Sequence, residues 1–180
     1  MNLNEIIKHR VSVKKFKNQA VPNELIMQLI DDAVYAPNHK MREPWRFILF
    51  DDQGQDVLYK RYMSKASDEQ RSEQEGVFEK LMLAPNWIAV IMPTLKDMRD
   101  ELEDMQACAA MIQNLMLLAT EKGLGTQWKT PKLIESDKFK NAVGINENEI
   151  IIALVMIGYP EVIPPAKPRK QSNKLVEFYR

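Results

Sequence analysis

Apolar positions along the chain fall into blocks whose spacing alternates between helical and extended. Leu3 to His9 has helical spacing behind Asn2 or Asn4, either of which can cap a first turn. Pro22-Asn23-Glu24 opens a second helix whose apolar residues Leu25, Ile26, Leu29, Ile30, Ala33 and Val34 share one face, and Pro37 stops it. Trp45 to Phe50 reads as a strand, and Gln53-Gly54 predicts a turn. Two charge-rich helices are expected over 55–66 and 70–84. Pro85-Asn86 breaks the pattern before a second strand, Trp87 to Met92.

The dominant block runs from Met105 to Ala119, MQACAAMIQNLMLLA, where only Gln106, Gln113 and Asn114 are polar. A helix apolar almost all round must be covered, either centrally or by another subunit. Gly123 and Gly125 end it, and Thr126-Gln127-Trp128 can start a short strand. Ile150 to Tyr159 has the composition of a strand buried on both faces. Beyond Pro160, the prolines at 164, 165 and 168 exclude an immediate helix and predict an arm crossing a surface. Helices and strands mix without steady βαβ alternation and without an internal repeat. The expected class is α+β, one domain over 1–180 with a sheet flanked by helices.

Composition narrows the partners. Twenty-five basic residues balance twenty-five acidic ones, so no whole-surface field draws nucleic acid or an anionic membrane. The longest apolar run, Ile150 to Ile157, is far short of a membrane span, and the N-terminus lacks a signal-peptide stretch. Cys108 is the only cysteine, which rules out an internal disulfide, argues against a cysteine-based zinc site and fits a reducing cytoplasm. The eleven methionines read as adaptable core filler or as a plastic binding surface.

Candidate chemistry is sparse. Arg10, Ser12 and Lys14 alternate with Val11 and Val13, so an extended backbone puts a guanidinium, a hydroxyl and an ammonium on one side. That set suits a phosphate, although a half-buried strand with a solvated outer face would look the same. His9 and His39 lack metal-ligand spacing, and no GxSxG elbow, GxGxxG loop or phosphate-binding P-loop occurs. An enzyme with so few acid–base groups would leave the hard step to an organic cofactor. One connector stands apart. Ala36 to Phe47, APNHKMREPWRF, joins a helix to a strand yet carries His39, Lys40, Arg42, Glu43 and Trp45.

Five segments, in order, resemble the flavin-dependent nitroreductase family. Arg10 to Phe16 resembles its RRSxRxF entry, and Ala36-Pro37 through Phe47 its AP…QPWxF loop. Met105 to Ala119 followed by Gly123 to Trp128 is similar to its central helix and GxGxxW turn. Ile157 to Pro160 and Pro168-Arg169-Lys170 resemble its IGxP strand end and basic tail. The Pro37-to-Lys40 start resembles a smaller bacterial subgroup with PxHK there.

The resemblance implies a three-layer fold with a mostly antiparallel sheet and a C-terminal arm reaching the partner of a homodimer. It implies FMN at the interface, with Arg10, Val11, Ser12 and Lys14 on the phosphate and ribityl end, helped by Arg169. Trp128, Lys129 and Thr130 would approach the flavin from the same chain, Tyr35 and His39 from the other. Electrons would pass from NADH or NADPH through flavin N5 to nitroaromatic or quinone-like acceptors by ping-pong turnover. No side chain would be catalytic in its own right, and no metal is expected. Other flavin reactions on the fold (dehalogenation, ene reduction, flavin breakdown) and a non-enzymatic FMN carrier are the alternatives. Met41 and Glu43 replace the family's Asn and Gln before Pro-Trp, and Val11 replaces its second Arg.

Overall fold

The computed structural model of the protein describes residues 1–64, 75–76 and 78–179. Helix α1 (Leu3–His9) opens with a reciprocal cap in which the Asn2 side chain accepts the Glu5 N–H at 3.0 Å and Glu5 accepts the Asn2 N–H at 2.8 Å. Helix α2 (Asn23–Ala33) starts behind Pro22, as the pattern predicts. Strand β1 (Arg46–Phe50) leads into α3 (Asp52–Met63). The expected turn at Gln53-Gly54 is instead the first turn of α3. Asp51 caps it by accepting the Gly54 N–H at 2.8 Å, and that cap starts the helix despite the glycine in its first turn. Residues 75–76 and 78–81 are helical, and the first part of the expected helix over 70–84 lies outside the described residues.

Strand β2 (Asn86–Pro93) precedes the long helix α4 (Met98–Glu121), followed by β3 (Gly125–Lys129), a short helix α5 (Asp137–Val143) and β4 (Glu149–Gly158). The hydrophobic pattern does not announce α5, which Ser136 caps and Gly144 closes at φ 82°. The four strands form one antiparallel sheet in the order β1-β2-β4-β3. In the central pair Trp87 lies opposite Met156, Ile88 opposite Val155 and Ala89 opposite Leu154.

Alternation through this pair builds the two halves of the core. Trp87, Ala89, Leu154 and Met156 pack with α3, α5 and Phe78 on one face. Ile88, Val90, Ala153, Val155 and Ile157 pack with α2 and α4 on the other. The result is the expected α+β class, a three-layer arrangement of helices, sheet and helices. Fully burying each large side chain stabilises it by roughly 1.5–3 kcal/mol. Among the described residues no helix is long and apolar enough to cross a membrane.

Candidate functional site

The segment after α1 runs extended along the β3 edge of the sheet. Ser12 bridges Thr126 in parallel, the Val13 N–H donates to the Thr126 carbonyl at 2.9 Å, and Phe16 bridges Pro160. Lys15 and Lys17 main-chain groups bond Glu161 and Tyr159, so the start of the tail is stitched to the same segment. Val13 points into the core while Ser12 and Lys14 stay exposed, as alternation predicts, but Val11, expected to turn away with Val13, lines the same pocket as Arg10, Ser12 and Lys14. The approach to β3 is tight. A Cβ on Gly125 would lie 2.7 Å from Val13 Cγ2 and 2.8 Å from Val13 Cβ, so only glycine permits it.

This stitching forms a pocket of about 410 Å³ lined by Arg10, Val11, Ser12, Lys14 and Lys15 from one side. Val162, Pro164, Pro165, Lys167 and Arg169 of the tail line the other. Two of its cations, Lys15 and Lys167, escape the sequence reading. Lys15 breaks the alternation, and Lys167 reaches the pocket only because the tail folds back. Among the described residues five cations and a hydroxyl line the pocket and no carboxylate does, a donor set that matches a phosphate monoester of about −1.5 to −2 charge.

Lys129 sits near this cluster at the end of β3. Its ammonium donates to the Lys80 carbonyl at 3.1 Å. Burial, then repulsion from Lys80 and Lys14, pushes its pKa below the usual lysine range. Trp128 points to the opposite face and packs against the α2–α4 core, and Thr130 is exposed beyond the strand.

Tyr35 and His39 lie elsewhere in the chain. Tyr35 is 87% exposed. His39 lines a second cleft of about 420 Å³ with Pro37, Asn38, Glu103, Gln106, Ala107 and Ala110. The structure therefore joins Arg10, Val11, Ser12, Lys14 and Arg169 in one pocket, and Tyr35 and His39 do not line it.

The charge of the Ala36–Phe47 loop has a local cause. Arg42 turns inward onto α4, where Nε donates to Asp104 Oδ1 at 2.7 Å. Asp100 and Glu103 complete the cage, with oxygens at 3.2–3.4 Å from the two Nη atoms. The Asp104 bond raises the Arg42 pKa despite burial. Burial pushes the Glu103 carboxyl up, but His39, Arg42 and Arg99 pull it below its ordinary value overall. Trp45 is partly buried against the α2–α4 core, anchoring the far end. Cys108 is buried, and burial followed by Asp104 pushes its thiol up to about 12, so it is unreactive. Among the described residues no group of three or more His, Cys, Asp or Glu is placed to hold a metal ion.

The sequence profile of the Nitroreductase family matches residues 7–159, from the end of α1 to the end of β4. The chain belongs to the nitroreductase family. Among its family relatives is a Bacillus subtilis protein named "Putative NAD(P)H nitroreductase YfhC", 35% identical over 93% of this chain and 89% of its own. The crystal structure of a nitroreductase-like family protein from Bacillus cereus superposes with a TM-score of 0.91 at 31% identity, covering 99% of this chain and 96% of that one. A nitroreductase-fold structure from Desulfovibrio desulfuricans, described as a complex with FMN, has a TM-score of 0.77 at 20% identity, with 100% and 98% covered.

Proposed function

We propose that this nitroreductase-family chain is an FMN-dependent NAD(P)H oxidoreductase acting on nitroaromatic or quinone-like acceptors as a homodimer. The observation that carries the reading is the acid-free cationic pocket formed by the Arg10-to-Lys15 segment and the tail. The family match and the FMN-bound neighbour support it. FMN, when bound, supplies two-electron transfer from a nicotinamide donor to the acceptor.

The residues divide the work by chemistry. Arg10 and Arg169 offer planar forks to the phosphate, Ser12 a neutral donor, and Lys14, Lys15 and Lys167 point charges. Val11 supplies apolar contact on the same wall. Lys129 would stabilise negative charge on the flavin, and an anion beside it would raise its depressed pKa by replacing lysine repulsion with attraction. Trp128 and Thr130 flank that position. Tyr35 and His39 would reach the partner's flavin across the interface, where His39 can move a proton to or from the cleft.

The dimer reading rests on exposed apolar surface among the described residues. Leu102 and Met105 of α4 are exposed, Ala109 and Leu117 are half-buried, and the tail exposes Val162, Ile163, Leu175 and Val176. Met41, at the position of the family asparagine, is exposed and has no side-chain hydrogen-bond donor to offer a flavin ring.

Purified protein should be yellow, bleach under anaerobic NADH or NADPH, and recover colour when a nitroaromatic is added. Bleaching with recovery only by halogenated or ene acceptors would move the activity to another flavin reaction of the fold. A colourless protein that ignores added FMN would overturn the reading.

A further inference from the structure

The loop between α2 and β1 holds its shape against backbone preference. Lys40, Met41 and Glu43 have φ of 55°, 51° and 47°, a left-handed region costly for residues with a Cβ. Arg42 interrupts them with a right-handed backbone at φ −69°. Main-chain bonds alone are thin here. Arg42 N–H donates to the His39 carbonyl at 3.2 Å, and Trp45 N–H to the Glu43 carbonyl at 2.7 Å. Asn38 adds one tie by accepting the Glu43 N–H at 2.9 Å.

The strong tie is the Arg42 side chain. Its partner Asp104 is only 2% exposed, so its carboxylate depends on that guanidinium for compensation. Glu103 completes the linkage, with one oxygen 3.4 Å from Arg42 Nη2 and 3.8 Å from His39 Nε2. Arg99 holds its other oxygen at 3.4 Å. The ionic cage on α4 therefore reaches His39 through a shared carboxylate, at the rim of the second cleft.

We propose that Arg42 is a positioning residue for the acceptor side of the site. Seated on Asp104, it holds the 38–43 loop, with Lys40, Met41 and Glu43 left-handed, in its path and fixes His39 over the α4 cleft. The inference rests on the functional reading above, and it concerns the loop rather than the phosphate pocket. The geometry assigns Arg42 to the scaffold and leaves His39 to face the cleft.

The test compares wild type with Arg42→Ala and with the double variant Arg42→Met/Asp104→Leu. The double variant removes the cage without leaving a buried carboxylate unpaired, so it keeps the fold where the single variant fails. Hydrogen exchange of the peptide spanning 36–45 should quicken in the double variant while that of 10–17 stays as in wild type. FMN should still bind, because the phosphate pocket is untouched, though less tightly to the extent that a freed His39 no longer meets the partner's flavin. The acceptor KM should rise about tenfold with kcat less affected, as loss of orientation predicts. Arg42→Lys, which keeps the charge but not the fork, should fall between the two. Unchanged exchange over 36–45 would show that Arg42 holds nothing. Quickened exchange with unchanged KM and kcat would make it a structural brace without a role in the site. If wild type itself binds no FMN, the functional reading fails and this one fails with it, while the exchange data still report separately on whether the cage orders the loop.

Discussion

At the scale of single residues the site depends on close approach and on charge. Arg10→Ala should weaken FMN by about 2 kcal/mol, roughly thirtyfold in dissociation constant, since the phosphate loses a charged hydrogen bond in a pocket where the remaining cations are exposed. Flavin fluorescence titration measures this, and an unchanged constant would remove Arg10 from the site. Gly125→Ala should weaken FMN indirectly. The added Cβ meets Val13 at its own Cβ as well as its methyl groups, so no rotamer change relieves it and the 10–14 segment must leave β3. A variant that melts only slightly earlier but holds FMN poorly would match, whereas full FMN affinity would show that the pocket tolerates displacement. The grouping of Arg10, Ser12 and Lys14 in one pocket was legible in the sequence because alternation is a local property, whereas Val11 and Lys15 line the same pocket against it. The Arg42–Asp104 pair was not legible, because its partners lie 62 residues apart and either side chain alone reads as an ordinary surface charge.

At the scale of elements the sequence located every strand to within a residue or so, because β2 and β4 are buried on both faces and read as unbroken apolar runs. The long helix was placed seven residues short at its start. Met98 to Asp104 holds five charged residues and only Met98 and Leu102 as apolar ones, so apolar content missed it, although Asp97 with Asp100 and Glu101 forms a recognisable start signal. Between elements, Arg46 on β1 grips Glu149 at the start of β4 through two bonds of 2.9 and 2.7 Å. That grip lowers the Glu149 pKa against the opposing effect of burial, with the Asn146 N–H helping. A carboxyl depressed in the folded state adds stability above its unfolded pKa, and the contribution fades as pH falls through the folded value. Glu149→Gln should therefore cost about 1 kcal/mol near neutral pH, a modest figure because Arg46 is partly exposed, and almost nothing in strong acid. Urea midpoints across that range would show the difference closing. A constant difference would mean that the pair acts through packing instead.

At the scale of the whole molecule the decisive question is what covers the outer face of α4. One stripe, through Ala107, Cys108, Met111, Ile112 and Leu115, is buried against the sheet. The next stripe, through Leu102, Met105 and Ala109, is exposed or half-buried among the described residues, and the small Ala109 lets another backbone come close. A second copy using the same surface forms a closed, self-complementary pair without leaving a sticky edge. Ala109→Arg should then place a long cation in that contact and shift the protein to monomer by sedimentation, with its helix content preserved. If Tyr35 and His39 serve the partner's flavin, the monomer should also hold FMN less tightly although its own phosphate pocket is intact. Those two readouts separate the ideas. A dimer that persists would move the interface elsewhere on the surface, and a monomer with undiminished FMN affinity would mean that one chain completes the site and that Tyr35 and His39 do not cross to it.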